Sequence, residues 1–159
     1  MPLRAQLPGA RAFATIAPVK ATETNPERSD VVIERGVVLI GAERISFGRN
    51  VYLGHETVLE AGSTGSIHID DDTWVGQRCV LRTEGRLHVG PAVGVGPFVH
   101  LEGDVHVEAD VDIGVATRII GPSVIGRGAQ IGAGAEVRGV VAPYAVVAGT
   151  PAHVLRFRP

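Results

Sequence analysis

The chain has 159 residues, of which 45% are hydrophobic but only 4% aromatic, and it contains 21 glycines. This length fits one domain, whose core must be filled by Val, Ile, Leu and Ala rather than by aromatic rings. A formal net charge of -2 gives no electrostatic argument for nucleic acid or an anionic membrane as a partner. The single Cys79 excludes an intrachain disulfide framework and a cysteine-based zinc cluster, and its inward, small-residue position predicts an inert core thiol.

Residues 1–30 show no sustained period, and their polar, turn-rich end predicts an irregular N-terminal extension. No apolar run approaches the length needed to span a bilayer. The first twenty residues are interrupted by Pro2, Pro8 and Pro18, so they lack the continuous apolar segment of a secretory signal. We therefore expect a cytoplasmic protein that has no membrane partner.

Aliphatic residues recur every six positions from Val31 onward, with two slips of two residues and a longer interruption at A-G-S-T-G-S. From Val89 the six-residue phase continues without a break to Val137. A short repeat of this kind predicts a solenoid, in which each repeat buries its apolar side only by stacking on its neighbours. Strands about 4.8 Å apart should then stack five inward residues, namely Phe47, Ile69, Val89, Val107 and Ile125.

Residues next to these inward positions should point outward, because side chains alternate along a strand. One outward column reads Ser46, His68, His88, His106 and Val124. Imidazole is both a metal ligand and a base near neutral pH, so a metal site or a catalytic cluster is one interpretation. The other is a solvated or interface ladder, since histidines stacked along one strand edge should point in parallel and not converge on an ion. We assign no metal ligand from the sequence.

Two further outward columns have structural interpretations. Glu60, Arg82 and Glu102 alternate in charge, which favours a ladder of ion pairs between adjacent strands. Tyr52 and Trp74 share a column on another part of the surface, and exposed aromatic side chains on a flat sheet are more typical of a subunit interface than of a ligand shelf.

The stretch 124–156, V-I-G-R-G-A-Q-I-G-A-G-A-E-V-R-G-V-V-A-P-Y-A-V-V-A-G-T-P-A-H-V-L-R, joins the last hexapeptides to a distinctive tail. It resembles the close of the hexapeptide-repeat acyltransferases, which are left-handed parallel β-helix proteins. The resemblance implies an all-β fold, with a left-handed parallel β-helix over residues 31–142 and a tail, 143–159, packed on the last coils. It also implies a homotrimer with active sites between subunits, and acetyl-CoA as the co-substrate.

The implied reaction is transfer of an acyl group, acetyl in the first instance, to a hydroxyl or amine of a small or sugar-linked acceptor. One base must take the acceptor's proton as it attacks the thioester. His106 lies at about the family's offset for this base, and His100, in F-V-H-L, resembles a histidine-bearing strand of sugar-nucleotide N-acetyltransferases. Glu102 is close enough in sequence to orient either imidazole. The family's long loop is missing, because E-G-D-V-H leads directly into the next coil.

The glycine that follows many inward aliphatic residues is first of all structural, because it allows a tight corner. In the family, the backbone of the last coils also lies against the pantetheine arm of CoA. The resemblance therefore implies CoA contacts at Gly114, Gly132, Ala133, Thr150 and Pro151, with Arg138 and Arg156 near the phosphates.

Two alternatives to the acyltransferase stay open. The missing loop allows a non-catalytic trimeric scaffold or binding protein that kept the fold and lost the base. The γ-class carbonic anhydrases share this fold type and hold a metal with three histidines from two subunits. Here the candidate pair His100 and His106 is six residues apart, where that motif has five, and its upstream pattern is not recognisable.

Overall fold

The computed structural model describes residues 31–159, so the predicted N-terminal extension, 1–30, lies outside the described residues. The described chain is built from β-strands and one short 3₁₀ helix, Ala42–Arg44. No helix among residues 31–159 is long and apolar enough to cross a membrane.

The strands follow one another at short intervals. In chain order they are β1 (Val31–Ile33), β2 (Val38–Ile40), β3 (Ile45–Phe47), β4 (Val51–Leu53), β5 (Val58–Ala61), β6 (Ser66–Ile69), β7 (Trp74–Val75), β8 (Val80–Thr83), β9 (Arg86–Val89), β10 (Gly94–Val95), β11 (His100–Glu102), β12 (Val105–Val107), β13 (Asp112–Ile113), β14 (Arg118–Ile125), β15 (Gln130–Ile131), β16 (Glu136–Val141), β17 (Ala145–Ala148) and β18 (His153–Phe157).

Each strand from β1 to β11 pairs in parallel with the strand three positions further along the chain, so that every coil passes through three faces in turn. From β12 to β15 the next partner is two positions further, because β14 and β16 each span two faces. The first face contains β1, β4, β7, β10, β13, β15 and β17. The second contains β2, β5, β8, β11 and the first halves of β14 and β16, and the third contains β3, β6, β9, β12 and their second halves. The result is a parallel β-solenoid of about six turns, which confirms the fold predicted from the repeat.

The predicted register is also confirmed. Phe47 is the partner of Ile69, Ile69 of Val89, Val89 of Val107, and Val107 of Ile125. Because side chains alternate between the two sides of each strand, these aliphatic columns fill the interior and their neighbours face outward. The core is accordingly aliphatic, and its largest fully buried side chains include Leu53, Leu59, Ile67, Leu81, Leu101, Ile119 and Ile125.

The turns between the first and second faces, which we call the first corner, carry a ladder of buried hydrogen bonds. Thr57 and Thr117 each donate their hydroxyl to the carbonyl of the next coil, Gly76 at 2.9 Å and Gly132 at 3.0 Å. Cys79 stands between them in the same column, with its Sγ 3.2 Å from the carbonyl oxygen of Gly96. Burial raises the pKa of this thiol, which fits the prediction of an inert core cysteine.

This ladder predicts that Cys79→Thr is tolerated, because the new hydroxyl meets the same carbonyl. We expect its free energy of unfolding to stay within about 1 kcal/mol of the wild-type value. Cys79→Asp, which buries an unpaired carboxyl, should be destabilised by about 3 kcal/mol or more. Urea unfolding followed by circular dichroism measures both values, and equal losses from the two variants would contradict the assigned role of the column.

The second corner, which joins the second and third faces, becomes shorter along the chain. Four residues separate the strands in the early coils, at 41–44 and 62–65, whereas only two do so at 84–85 and 103–104. In the next coil β14 continues through the corner, and its register with β16 shifts between Ile120 and Ser123. The irregularities of the six-residue period before Ser66 therefore lie largely at this corner, where extra residues project outward without disturbing the core. At Gly103 and Asp104 the corner is a tight bend with no loop, as the sequence indicated.

The end of the chain reverses direction. The first face ends with β17, and β18 then runs back antiparallel beside it, so that Val146 is the partner of Arg156. Every residue of β18 is exposed, including the large apolar side chains Leu155 and Phe157.

Candidate active site

Three histidines lie in one column on the outside of the third face. Register pairs place His68 of β6 beside His88 of β9, and His88 beside His106 of β12. Ser46 precedes this column and Val124 follows it, as the sequence predicted. We call His68, His88 and His106 the histidine ladder.

The rings of the ladder are in direct contact and do not stand in parallel. The ring centroids are 5.5 Å apart for His68 and His88 and 4.9 Å apart for His88 and His106, and both pairs are tilted. Nδ1 of His88 lies 3.2 Å from Nδ1 of His106, so one of these two nitrogens donates and the other accepts. The Oγ of Ser46 is hydrogen-bonded to Nδ1 of His68 at 2.7 Å.

Asp70 lies beside the histidine ladder, although the six-residue period did not predict a role for it. Its Oδ2 is 3.6 Å from Nε2 of His88, and its Oδ1 accepts a hydrogen bond from the backbone N–H of Asp71 at 2.9 Å. The sequence spacing does indicate its position, because Asp70 is two residues after His68 and the inward Ile69 lies between them. The pKa of His88 is lowered, first by burial and then by His106 and His68, and Asp70 opposes this effect.

His106 lines a shallow groove of about 580 Å³ on the third face. His88 and Asp104 contribute polar groups to the groove, and Val124 and Val140 form an apolar end. The side chain of Val140 is 79% exposed, which is unusual for valine in a sheet. The groove thus joins a hydrogen-bonded imidazole to an apolar surface that a single chain leaves uncovered.

His100 and Glu102 lie on the second face, on either side of the buried Leu101. Among residues 31–159, neither side chain makes a hydrogen bond, so Glu102 is not hydrogen-bonded to an imidazole. His100 lies beside Arg118 in the register, whereas His106 is around the corner on the third face. The structure therefore orients His106 through His88, and it leaves His100 without an orienting partner within the described chain.

The charge column contains one of the predicted ion pairs, and the subunit-interface role of Tyr52 and Trp74 stays a prediction. Glu60 and Arg82 form an ion pair at 3.3 Å, and Glu102 follows in the same column. Tyr52 and Trp74 stack with their ring centroids 5.9 Å apart. Trp74 also borders a second groove, of about 540 Å³, along the first face, whose lining includes Asp112, Gly114, Gln130 and Gly132.

The five positions whose backbone was expected to contact CoA lie together at the first corner of the last coils. A Cβ on Gly114 would lie 2.6 Å from the nitrogen of Ala133, so the successive coils are in close contact. The hydroxyl of Thr150 donates to the carbonyl of Gly134 at 3.2 Å, which fixes Thr150 and Pro151 beside this corner. A Cβ on Gly134 would meet nothing within 4 Å, so exposed backbone borders open space there.

The two arginines expected near phosphates lie on different faces. Arg138 is on the second face and is 3.2 Å from Glu136, which also pairs with Arg118 at 3.4 Å. Arg156 is exposed on β18, along the first face. They flank the first corner from its two sides.

His106 and the first corner lie on opposite sides of the solenoid. His106 belongs to the third face, and the first corner joins the other two faces. Within one chain the imidazole and the candidate CoA contacts therefore do not meet.

Comparisons with known proteins agree with this fold. No protein-family model matches the chain. A serine acetyltransferase of Salmonella typhimurium is 33% identical over 112 residues, which cover 68% of this chain but only 34% of that protein. The chain thus spans about a third of the length of this curated relative.

Solved structures share the fold over most of the chain. The N-acyltransferase AntD of Bacillus cereus, in complex with dTDP and 3-hydroxybutyryl-CoA, matches with a TM-score of 0.72 and 16% identity over 82% of this chain and 81% of its own. A hexapeptide-repeat acetyltransferase of Vibrio cholerae, complexed with acetyl coenzyme A, matches with a TM-score of 0.60 and 23% identity over 70% of each chain. At these identities the likeness shows the fold. The chain thus shares its repeat and its fold with the hexapeptide-repeat acyltransferases, and the predicted resemblance is confirmed.

Proposed function

We propose that the protein is a CoA-dependent acyltransferase that transfers an acetyl group to a hydroxyl or amine of a small or sugar-linked acceptor. The observation that carries the proposal is the imidazole of His106, held by His88 at 3.2 Å in an open groove. The sequence relative and the two solved neighbours, which are complexes with acetyl-CoA and 3-hydroxybutyryl-CoA, support the same chemistry.

In the proposed mechanism His106 is the general base. When the Nδ1–H of His106 donates a hydrogen bond to Nδ1 of His88, Nε2 of His106 carries a free lone pair that can accept a proton. The acceptor's hydroxyl or amine gives its proton to this lone pair as its oxygen or nitrogen attacks the thioester carbon. The carbon–sulfur bond then breaks, CoA leaves as the thiol or thiolate, and the acyl group remains on the acceptor. His100 is the second candidate for the base, since it follows the first corner on the same coil.

The proposed site requires a second copy of the chain, because His106 and the first corner face away from each other. Large exposed apolar side chains on two separate surfaces, Val140 on the third face and Leu155 and Phe157 on β18, support self-association. We propose the homotrimer implied by the family, in which one copy supplies His106 and the next supplies the first corner. Light scattering should give a mass three times that of the chain, whereas a monomer at micromolar concentration would contradict this arrangement.

If the protein binds CoA as proposed, acetyl-CoA should raise its melting temperature, because the ligand binds only the folded state. Ala133→Glu should weaken acetyl-CoA binding by about tenfold, since a carboxylate at the exposed corner opposes the anionic ligand. Ala42→Glu, at an exposed position on the second corner of an early coil, is the matched control. Calorimetric titration measures all three affinities, and no binding by the wild type at millimolar acetyl-CoA would contradict the proposal.

A second candidate function is a non-catalytic trimeric binding protein. The tight bend at Gly103 and Asp104 favours it, because the loop that carries the family's base is absent. Binding of acetyl-CoA without release of free CoA, across a panel of amino and hydroxyl acceptors, would support this candidate over the transferase.

A further inference from the structure

We propose that His68, Asp70 and His88 form a binding site for a divalent transition-metal ion, with Zn²⁺ as the first choice. One donor atom from each of these three side chains lies within 4.8 Å of the other two. The three residues come from two adjacent coils of one chain. The proposal does not rest on the proposed acyltransferase activity.

The three side chains converge because of the pleat and the register. His68 and Asp70 flank the buried Ile69, so both emerge on the outer side of the third face. His88 is the register partner of His68 on the next strand. Stacked histidines alone would be expected to point in parallel, and it is the added carboxylate of Asp70 that turns the pair into a three-donor cluster.

Each of the three side chains has two polar atoms. A hydrogen bond to one of them already orients the side chain and leaves the other for the ion. Nδ1 of His68 is held by Ser46 at 2.7 Å, and Nδ1 of His88 is held by His106 at 3.2 Å. With an ion on Nε2 of His88, the Nδ1–H of His88 donates to Nδ1 of His106, which is the reverse of the arrangement that makes His106 a base, so a bound ion and general-base catalysis by His106 exclude each other. Oδ1 of Asp70 is held by the backbone N–H of Asp71, which leaves Oδ2 beside Nε2 of His88 at 3.6 Å. Histidines that bind metals almost always have their second ring nitrogen hydrogen-bonded in this way, which fixes the tautomer and the ring.

The donor set selects the class of ion. Two imidazole nitrogens and one carboxylate oxygen suit Zn²⁺ and related first-row ions, whereas Mg²⁺ and Ca²⁺ prefer oxygen donors. Three protein ligands leave a fourth, open position for water, and Zn–N distances of about 2.0–2.1 Å require side-chain rotations that bring the donors from up to 4.8 Å to about 3.3 Å of one another. The side chains of His88 and Asp70 are 29% and 34% exposed, so an ion can reach them from solvent.

The test uses the full chain without a polyhistidine tag, stripped with a chelator and titrated with ZnCl₂ by calorimetry. We expect one ion per chain with micromolar affinity or better. His68→Ala and Asp70→Asn should each lower the affinity by about tenfold or more, and Ser46→Ala should lower it by about tenfold because it frees the His68 ring. His153→Ala and Asp110→Asn, which remove an exposed histidine and an exposed carboxylate elsewhere, should bind like the wild type.

The visible absorption of the Co²⁺-substituted wild-type protein gives a second readout that does not depend on any variant folding. Bands typical of four- or five-coordinate Co²⁺ support the site, and a spectrum equal to that of hydrated Co²⁺ overturns it. The proposal also fails if the wild type shows no saturable Zn²⁺ binding, or if folded His68→Ala and Asp70→Asn bind Zn²⁺ as tightly as the two controls.

Discussion

Replacing His106 with alanine is expected to lower the rate of acyl transfer by about 10²–10⁴-fold, the usual contribution of a general base. The loss should appear in kcat, because the imidazole acts on the proton that moves in the transition state. Free CoA thiol released from acetyl-CoA, measured with a panel of amino sugars and hydroxyl acceptors, gives the rate. The chain's own thiol adds little background, since Cys79 is buried.

His106→Asn is the companion variant, because it keeps a hydrogen-bonding group beside His88 and removes only the base. It should lose as much activity as His106→Ala while keeping the acetyl-CoA affinity. His153→Ala controls for the loss of an exposed histidine. An active His106→Ala variant together with an inactive His100→Ala variant would move the base to His100.

Leu101→Ala is expected to destabilise the solenoid by about 2–5 kcal/mol. Leu101 is fully buried and lies between Leu81 and Ile119 in the second-face column, so the truncation leaves a cavity that the coils on either side cannot close. In a stacked array the loss weakens the contacts with both neighbouring coils. Thermal and urea unfolding of the variant measure the change in free energy.

Leu155→Ala makes the same chemical change at a residue that is 67% exposed on β18. At a surface position of a single chain its effect should stay within about 0.5 kcal/mol. If a neighbouring copy covers Leu155 in the proposed trimer, the variant should show an additional loss that depends on protein concentration. Equal, concentration-independent losses for Leu101→Ala and Leu155→Ala would contradict the assignment of the core.

The register of the solenoid could be predicted from the sequence, because the signal repeats in every coil. The column from Phe47 to Ile125 follows from a period of six combined with the alternation of side chains along each strand. Because the same period recurs on either side of each two-residue slip, the slips could be located as well. The same logic placed His68, His88 and His106 in one column.

The contacts within the candidate site could not be predicted in the same way. The period says which side chains are neighbours, but not how their rings turn or which hydrogen bonds they choose. The pairing of His88 with His106 and the approach of Asp70 depend on side-chain torsions, as does the absence of a hydrogen bond between Glu102 and either imidazole. By contrast, the position of His106 opposite the first corner does not depend on side-chain torsions, because it follows from the three-face topology.

The most direct measurement is a crystal structure of the protein with acetyl-CoA. We predict a trimer in which the pantetheine arm lies along Gly114, Gly132 and Thr150 of one copy. The thioester carbon should face Nε2 of His106 from the next copy, with room between them for the acceptor. A thioester that faces His100 of the same chain, or acetyl-CoA bound away from every histidine, would contradict it.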